Sequence, residues 1–149
     1  MTKLYVIAIA VCALAGSACD EKLSDVAGPT PNLEPTLSSI QREIFSASDS
    51  TGRAACAQCH TNIGRNPSVP GFLLLEGQSH QSLVGRASLN KPGAVHVIAG
   101  DPDNSYLIQK LEGRAGIAGI RMPRNGPPFL TEGQVSIIRR WIQLGAKND

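Results

Sequence analysis

The feature that most restricts this chain is the pentapeptide Cys56-Ala57-Gln58-Cys59-His60. It sets two thiols three positions apart and follows them with an imidazole. The chain has four cysteines in 149 residues, and the other two, Cys12 and Cys19, lie near the N-terminus. Lys3 followed by the apolar run Leu4 to Leu14 has the layout of an export signal, too short to span a bilayer as a mature helix. An exported chain meets an oxidising compartment, yet beyond the signal region no spare pair of cysteines remains. Cys56 and Cys59 therefore either bond each other or hold something.

The spacing favours holding. On a helix each residue turns by about 100°, so Cys56, Cys59 and His60 fall within an arc of roughly 100°. Two thiols so placed can reach the two vinyl groups of one porphyrin edge, with the next imidazole over the iron. The reading is covalent attachment of one haem c, with Cys56 and Cys59 as thioether residues and His60 as proximal ligand. Three other readings compete. A dithiol redox pair of the thioredoxin-like kind needs a strand–helix alternation that the sequence lacks. Half a zinc site needs a second cysteine pair, and His80 and His96 are not at finger spacing. The third is a plain structural disulfide. The adjacent His, the export signal and the helical surroundings favour haem.

Iron so held needs a sixth ligand or stays open. Met1 leaves with the signal, so Met122 is the remaining methionine. Pro123 after it disfavours helical backbone at Met122 and predicts a loop. Arg121, Pro123, Arg124 and Asn125 make a poor core context, so Met122 reads as the axial ligand rather than as packing. His80 and His96 are the rivals, each read as an ordinary polar or surface histidine.

Residues 1–18 read as the signal. Ala15-Gly16-Ser17-Ala18 ahead of Cys19 resembles the lipobox of bacterial lipoproteins, in which the cysteine is lipidated and becomes the first mature residue. Secretion with cleavage after Ala15, or a retained anchor, are the alternatives. Residues 19–35, with Gly28, Pro29, Pro31 and Pro35, read as a flexible tether, and residues 36–149 as one folded domain. A net charge of +2 with scattered basic residues argues against nucleic acid. The few aromatic residues predict a small core that a buried cofactor would complete.

Thr36 is a plausible N-cap for a helix to about Phe45, with Leu37, Ile40 and Ile44 on one face. Residues 71–75 could be a strand or a buried turn, and Ser79 to Val84 a helical turn. Asp101-Pro102 has the form of a helix start, leading to Tyr106, Leu107 and Leu111. Gly113 to Gly119 predicts a loop. The last helix has a capping box in Thr131 and Gln134, a staple in Leu130 and Val135, an apolar stripe through Ile138, Trp141 and Ile142, and a stop at Gly145.

Cys-x-x-Cys-His, a downstream Met-Pro and a final helix ending Trp-Ile-x-x-Gly-Ala resemble the class I cytochrome c fold. The chain is more narrowly similar to the planctomycete-type cytochrome c domain, through Ile44-Phe45, Gly100-Asp101-Pro102 with Ser105 and Leu107, Arg121-Met122-Pro123, Leu130-Thr131 and Trp141-Ile142 with Gly145-Ala146. The resemblance covers residues 36 to 147, and the Gly-rich insert before Arg121 departs from it. It implies an all-α fold: a small helical domain around one covalently attached haem, with the first and last helices crossing near Trp141.

The expected function is electron transfer, not enzymatic turnover, since two permanent iron ligands suit reversible redox change. No triad or carboxylate pair suggests catalysis. The alternatives are a haem-based sensor or ligand-binding module, and a dithiol redox lipoprotein without haem. Redox proteins are the expected partners. The expected place is the periplasmic face or cell envelope, on a membrane through lipid at Cys19.

Overall fold

The computed structural model describes Thr30, residues 32–61 and residues 72–149. The expected signal, Cys19 and the part of the expected tether before Thr30 lie outside the described residues, as do residues 31 and 62–71. The fold is helical. Helix α1 (Leu37–Ile40) runs into a wider π-type turn (Gln41–Phe45), and α2 (Ser79–Leu83), α3 (Tyr106–Glu112) and α4 (Glu132–Gln143) follow. Between α2 and α3, β contact is limited to isolated bridges such as Val84 with Val97 and Val95 with Ser105. Among the described residues there is no strand, and no helix is long and apolar enough to cross a membrane.

The helix ends follow their capping chemistry. Thr36 is extended, and its hydroxyl accepts from Ser39 N at 3.3 Å. The π turn closes when Ser46 N donates to Gln41 O at 2.8 Å, and both Ile44 and Phe45 are buried. At α4, Gln134 N donates to Thr131 Oγ1 at 3.2 Å and Thr131 N to Gln134 Oε1 at 3.0 Å, which completes the expected capping box. Gly145, at φ 100°, ends that helix in a conformation that favours glycine.

One helix start differs from expectation. Asp101-Pro102 opens no helix: Asp101 Oδ1 accepts from Asn104 N at 3.1 Å and folds a turn. Helix α3 begins at Tyr106 instead, after Ser105. The Ser105 hydroxyl is spent on Asp101 O at 2.7 Å and on Ile98 N at 2.9 Å, which joins the turn to the bridge region. Residues 72–75 form no strand, while Ser79–Leu83 is the expected helical turn.

The core is one cluster. Leu37, Ile40 and Ile44 meet Leu107, Ile108 and Leu111 of α3 and Ile138, Trp141 and Ile142 of α4. Each buried aliphatic side chain of this kind contributes about 1.5–3 kcal/mol. The packed chain reaches back beyond Thr36: Leu33 packs on the cluster, and buried Thr30 accepts from Gln134 Nε2 at 3.3 Å. The C-terminal segment closes over Trp141, whose Nε1 donates to Lys147 O at 2.8 Å. Asp149 then accepts from Leu37 N and Ser38 N, both at 2.9 Å, placing an acid at the start of α1.

Candidate functional site

Cys56, Cys59 and His60 are brought together by a 3-10 turn, Cys56–Gln58, rather than by a full α-helical run. Cys59 N and His60 N both donate to Cys56 O, at 3.2 and 3.0 Å, so all three side chains leave one tight turn. Neither cysteine is in a disulfide; Cys56 is half-buried and Cys59 exposed. The disulfide reading thus has no counterpart in the structure.

The turn is anchored by a charged pair that sequence reasoning passed over. Arg53 is 1% exposed, and its Nε donates to Asp49 Oδ2 at 2.9 Å. Its other nitrogens donate to the carbonyls of Ile44 at 3.3 Å, Ala54 at 3.2 Å and Ala47 at 3.4 Å. Arg53 Nη1 also lies 4.0 Å from Cys56 Sγ. Burial works to raise the Asp49 carboxyl, but hydrogen bonds from Thr51 and Arg53 and the guanidinium charge hold it below the usual range. Burial pushes the Cys56 thiol up, against the pull of Arg53. The i,i+4 spacing of Asp49 and Arg53 was a readable signal; their burial was not.

His60 is the chemical centre. Its main-chain carbonyl accepts from Leu74 N at 2.9 Å, and Leu74 O accepts from Gln41 Nε2 at 2.9 Å. The ring meets Phe72 edge-on, with centroids 4.6 Å apart. Its Nδ1 is buried and has no hydrogen-bond partner, an exception that calls for an explanation in a native structure. Burial first, then the charges of His96 and Lys110, lower its pKa to about 4, against a hydrogen bond to Phe72 backbone that raises it. The imidazole is therefore neutral at pH 7, the form that binds a metal.

His96 is not the surface residue expected. It is half-buried and stacks on Phe72 at 4.5 Å, with Tyr106 next in the row at 6.4 Å. His80 is engaged elsewhere: its Nε2 pairs with Ala146 O at 2.9 Å and ties α2 to the C-terminal segment.

Met122 lies in a bend outside any helix, as Pro123 requires, and packs half-buried against the core. Its N–H donates to Lys110 O at 2.9 Å. Lys110 is thus a structural link between the two candidate ligands, since its charge also acts on His60. The Gly113–Gly119 segment is loop as expected, and it folds back on α3: Ala118 N donates to Tyr106 Oη at 2.8 Å. Cys19 lies outside the described residues. Among the described residues no group of three or more His, Cys, Asp or Glu is arranged to hold a metal ion.

Comparison with protein-family models, with curated proteins and with solved structures returned no match.

Proposed function

We propose that this chain is a single-haem c-type cytochrome that carries electrons between redox proteins. The observation that carries the reading is the Cys56–His60 turn: two free thiols and a half-buried, neutral imidazole leave one turn together. That donor set fits covalently attached haem. Cys56 and Cys59 would form the thioethers, and the His60 imidazole, neutral at pH 7, would supply the ligand nitrogen. A metal that arrives inside a macrocycle also needs no protein cage of three or more donors.

Haem, when bound, supplies reversible one-electron exchange at its iron. The chain's own residues do the rest. Cys56 and Cys59 fix the group to the turn. Arg53 and Asp49 hold the turn, and Leu74 holds the His60 main chain. Phe72 keeps water from the imidazole. Met122 is the proposed sixth ligand, and a Met/His pair raises the potential. The fold proposed around these residues is the class I cytochrome c arrangement.

Mass and spectra test the proposal. Made with c-type maturation machinery, the mature protein should exceed its polypeptide mass by one haem, and replacing both cysteines with Ala should abolish the increment. A mass equal to the bare chain sinks the reading and leaves the dithiol alternative. The oxidised protein should show the weak sulfur-to-iron band at the red end of its spectrum. The reduced protein should not take up carbon monoxide readily at neutral pH, and Met122→Ala should permit uptake and lower the potential. A wild type that binds carbon monoxide freely favours the sensor alternative. If Met122→Ala changes neither band nor potential, His96 becomes the ligand to test, because it shares the Phe72 stack with His60.

We further propose export and lipidation at Cys19, from the apolar run and small residues before it. Cys19→Ala should move the cytochrome from the membrane to the soluble fraction. A soluble wild type whose mature N-terminus is Gly16 overturns this.

A further inference from the structure

Lys110 occupies an unusual position for a lysine near the end of a helix. A cation there ordinarily serves its own helix, bonding the last free carbonyls. In α3 the carbonyl of Gln109 is already taken by Gly113 N and Arg114 N, both at 3.0 Å. The Lys110 ammonium turns outward instead. It donates to Ala118 O at 2.8 Å and to Ile120 O, two carbonyls of the returning loop. Its own main-chain carbonyl accepts from Met122 N at 2.9 Å. One residue thus grips the loop three times, with the last grip on the candidate ligand itself.

The neighbours repeat the pattern. Arg121 Nε donates to Leu111 O at 2.7 Å, and its guanidinium stacks 4.1 Å over the Phe129 ring. Tyr106 Oη accepts from Ala118 N. Three residues of α3, at Tyr106, Lys110 and Leu111, therefore fix the segment from Ala118 to Met122. Lys110 is the one whose side chain can be changed without touching the α3 core, since its aliphatic neighbours Ile108 and Leu111 carry the packing. Burial also lowers the pKa of the ammonium, the sign of a group drawn in from water by its partners.

We propose that Lys110 is a positioning residue for Met122: its ammonium cross-links the carbonyls of Ala118 and Ile120 and so holds the thioether in its binding position. This rests on the reading of Met122 as the sixth ligand. Lys110 touches neither haem nor iron in this scheme and acts only through the loop. Substituting the side chain leaves the Met122 N to Lys110 O bond in place, so the loop should loosen rather than detach.

The test uses the haem-loaded, full-length protein as wild type, Lys110→Met, Lys110→Gln and Lys110→Arg. Two signals are followed in one urea titration: the sulfur-to-iron band for the ligand, and far-ultraviolet circular dichroism for the helices. In wild type the two should fade together. In Lys110→Met the band should fade at lower urea than the helices. Carbon monoxide uptake by its reduced form should be faster by about tenfold or more, the ratio that one charge-assisted hydrogen bond is worth. Lys110→Gln, which keeps a neutral donor, should fall between, and Lys110→Arg should restore most of the wild-type behaviour. If Lys110→Met matches wild type, or if band and helices still fade together in all variants, the proposal is overturned and the ligand reading stands. A wild type with no sulfur-to-iron band overturns the ligand reading first, and this proposal with it.

Discussion

The two candidate ligands are held in opposite ways. His60 leaves a turn fixed from beneath by a buried ion pair, with Arg53 and Asp49 side chains 0% and 5% exposed. Met122 lies on a loop pinned from above by hydrogen bonds to α3, through residues that are mostly half-exposed. The first arrangement is all-or-none. Removing one partner strands a charge in the core, and a buried unpaired charge is among the largest single destabilisations known. The second is graded, because each hydrogen bond can be lost while the others remain. Under the proposed ligation, a domain that keeps one ligand permanently and positions another accurately would have reason to use both.

The sharpest way to break the contrast is at Asp49. Asp49→Asn leaves Arg53 buried without its counter-charge, and unfolding of the haem-loaded protein by guanidinium should register a loss of about 3–5 kcal/mol. The same pair sets an acid limit. Asp49 titrates below its ordinary 3.8 in the folded protein, so its contribution is complete above that pH and disappears as pH falls through the lower folded value. Asp49→Asn should flatten that part of the acid-unfolding curve. A loss under about 1 kcal/mol would place the pair with ordinary surface bridges and erase the contrast.

Tyr106→Phe probes the other half. It removes the acceptor for Ala118 N and should lower stability by about 1 kcal/mol, with the sulfur-to-iron band responding before the helices do. An effect as large as that of Asp49→Asn would show the loop to be part of the core. The smallest change is expected at the rim, where Arg139 of α4 bridges Asp103, in the turn before α3, at 2.5 Å and Glu112 of α3 at 3.2 Å. Arg139→Ala should alter stability slightly at low salt. At about 1 M salt, where screening acts over roughly 3 Å, it should alter nothing. A salt-independent loss would mean that Arg139 packs rather than pairs.

What could be read from the residues alone was local chemistry. Thr36, the Thr131–Gln134 box and Gly145 act within a turn of themselves, so their roles are visible in a short window. The Cys56–His60 motif is legible for the same reason. Asp101-Pro102 misled because an aspartate that starts a helix and one that folds a turn use the same carboxylate, and only the position of Asn104 decides. The Gln41–Leu74–His60 path, the burial of Arg53 and the stacking of His96 on Phe72 join residues far apart in the chain. Periodicity carries no information about such meetings. The reach of Lys110 to Ala118 and Ile120 depended on how the Gly-rich loop turned back.

The unpartnered nitrogen of His60 bears on how the molecule is made. If haem is the cofactor, a chain that folds before receiving it carries a half-buried imidazole with one unpartnered nitrogen and two free thiols, one of them exposed. Attachment would consume both thiols at one stroke, so loaded copies would accumulate in the folded state by mass action. Unloaded copies would open more often and be the first that a protease meets. On that reading the site would act as an inspection point during biogenesis, sorting finished molecules from unfinished ones.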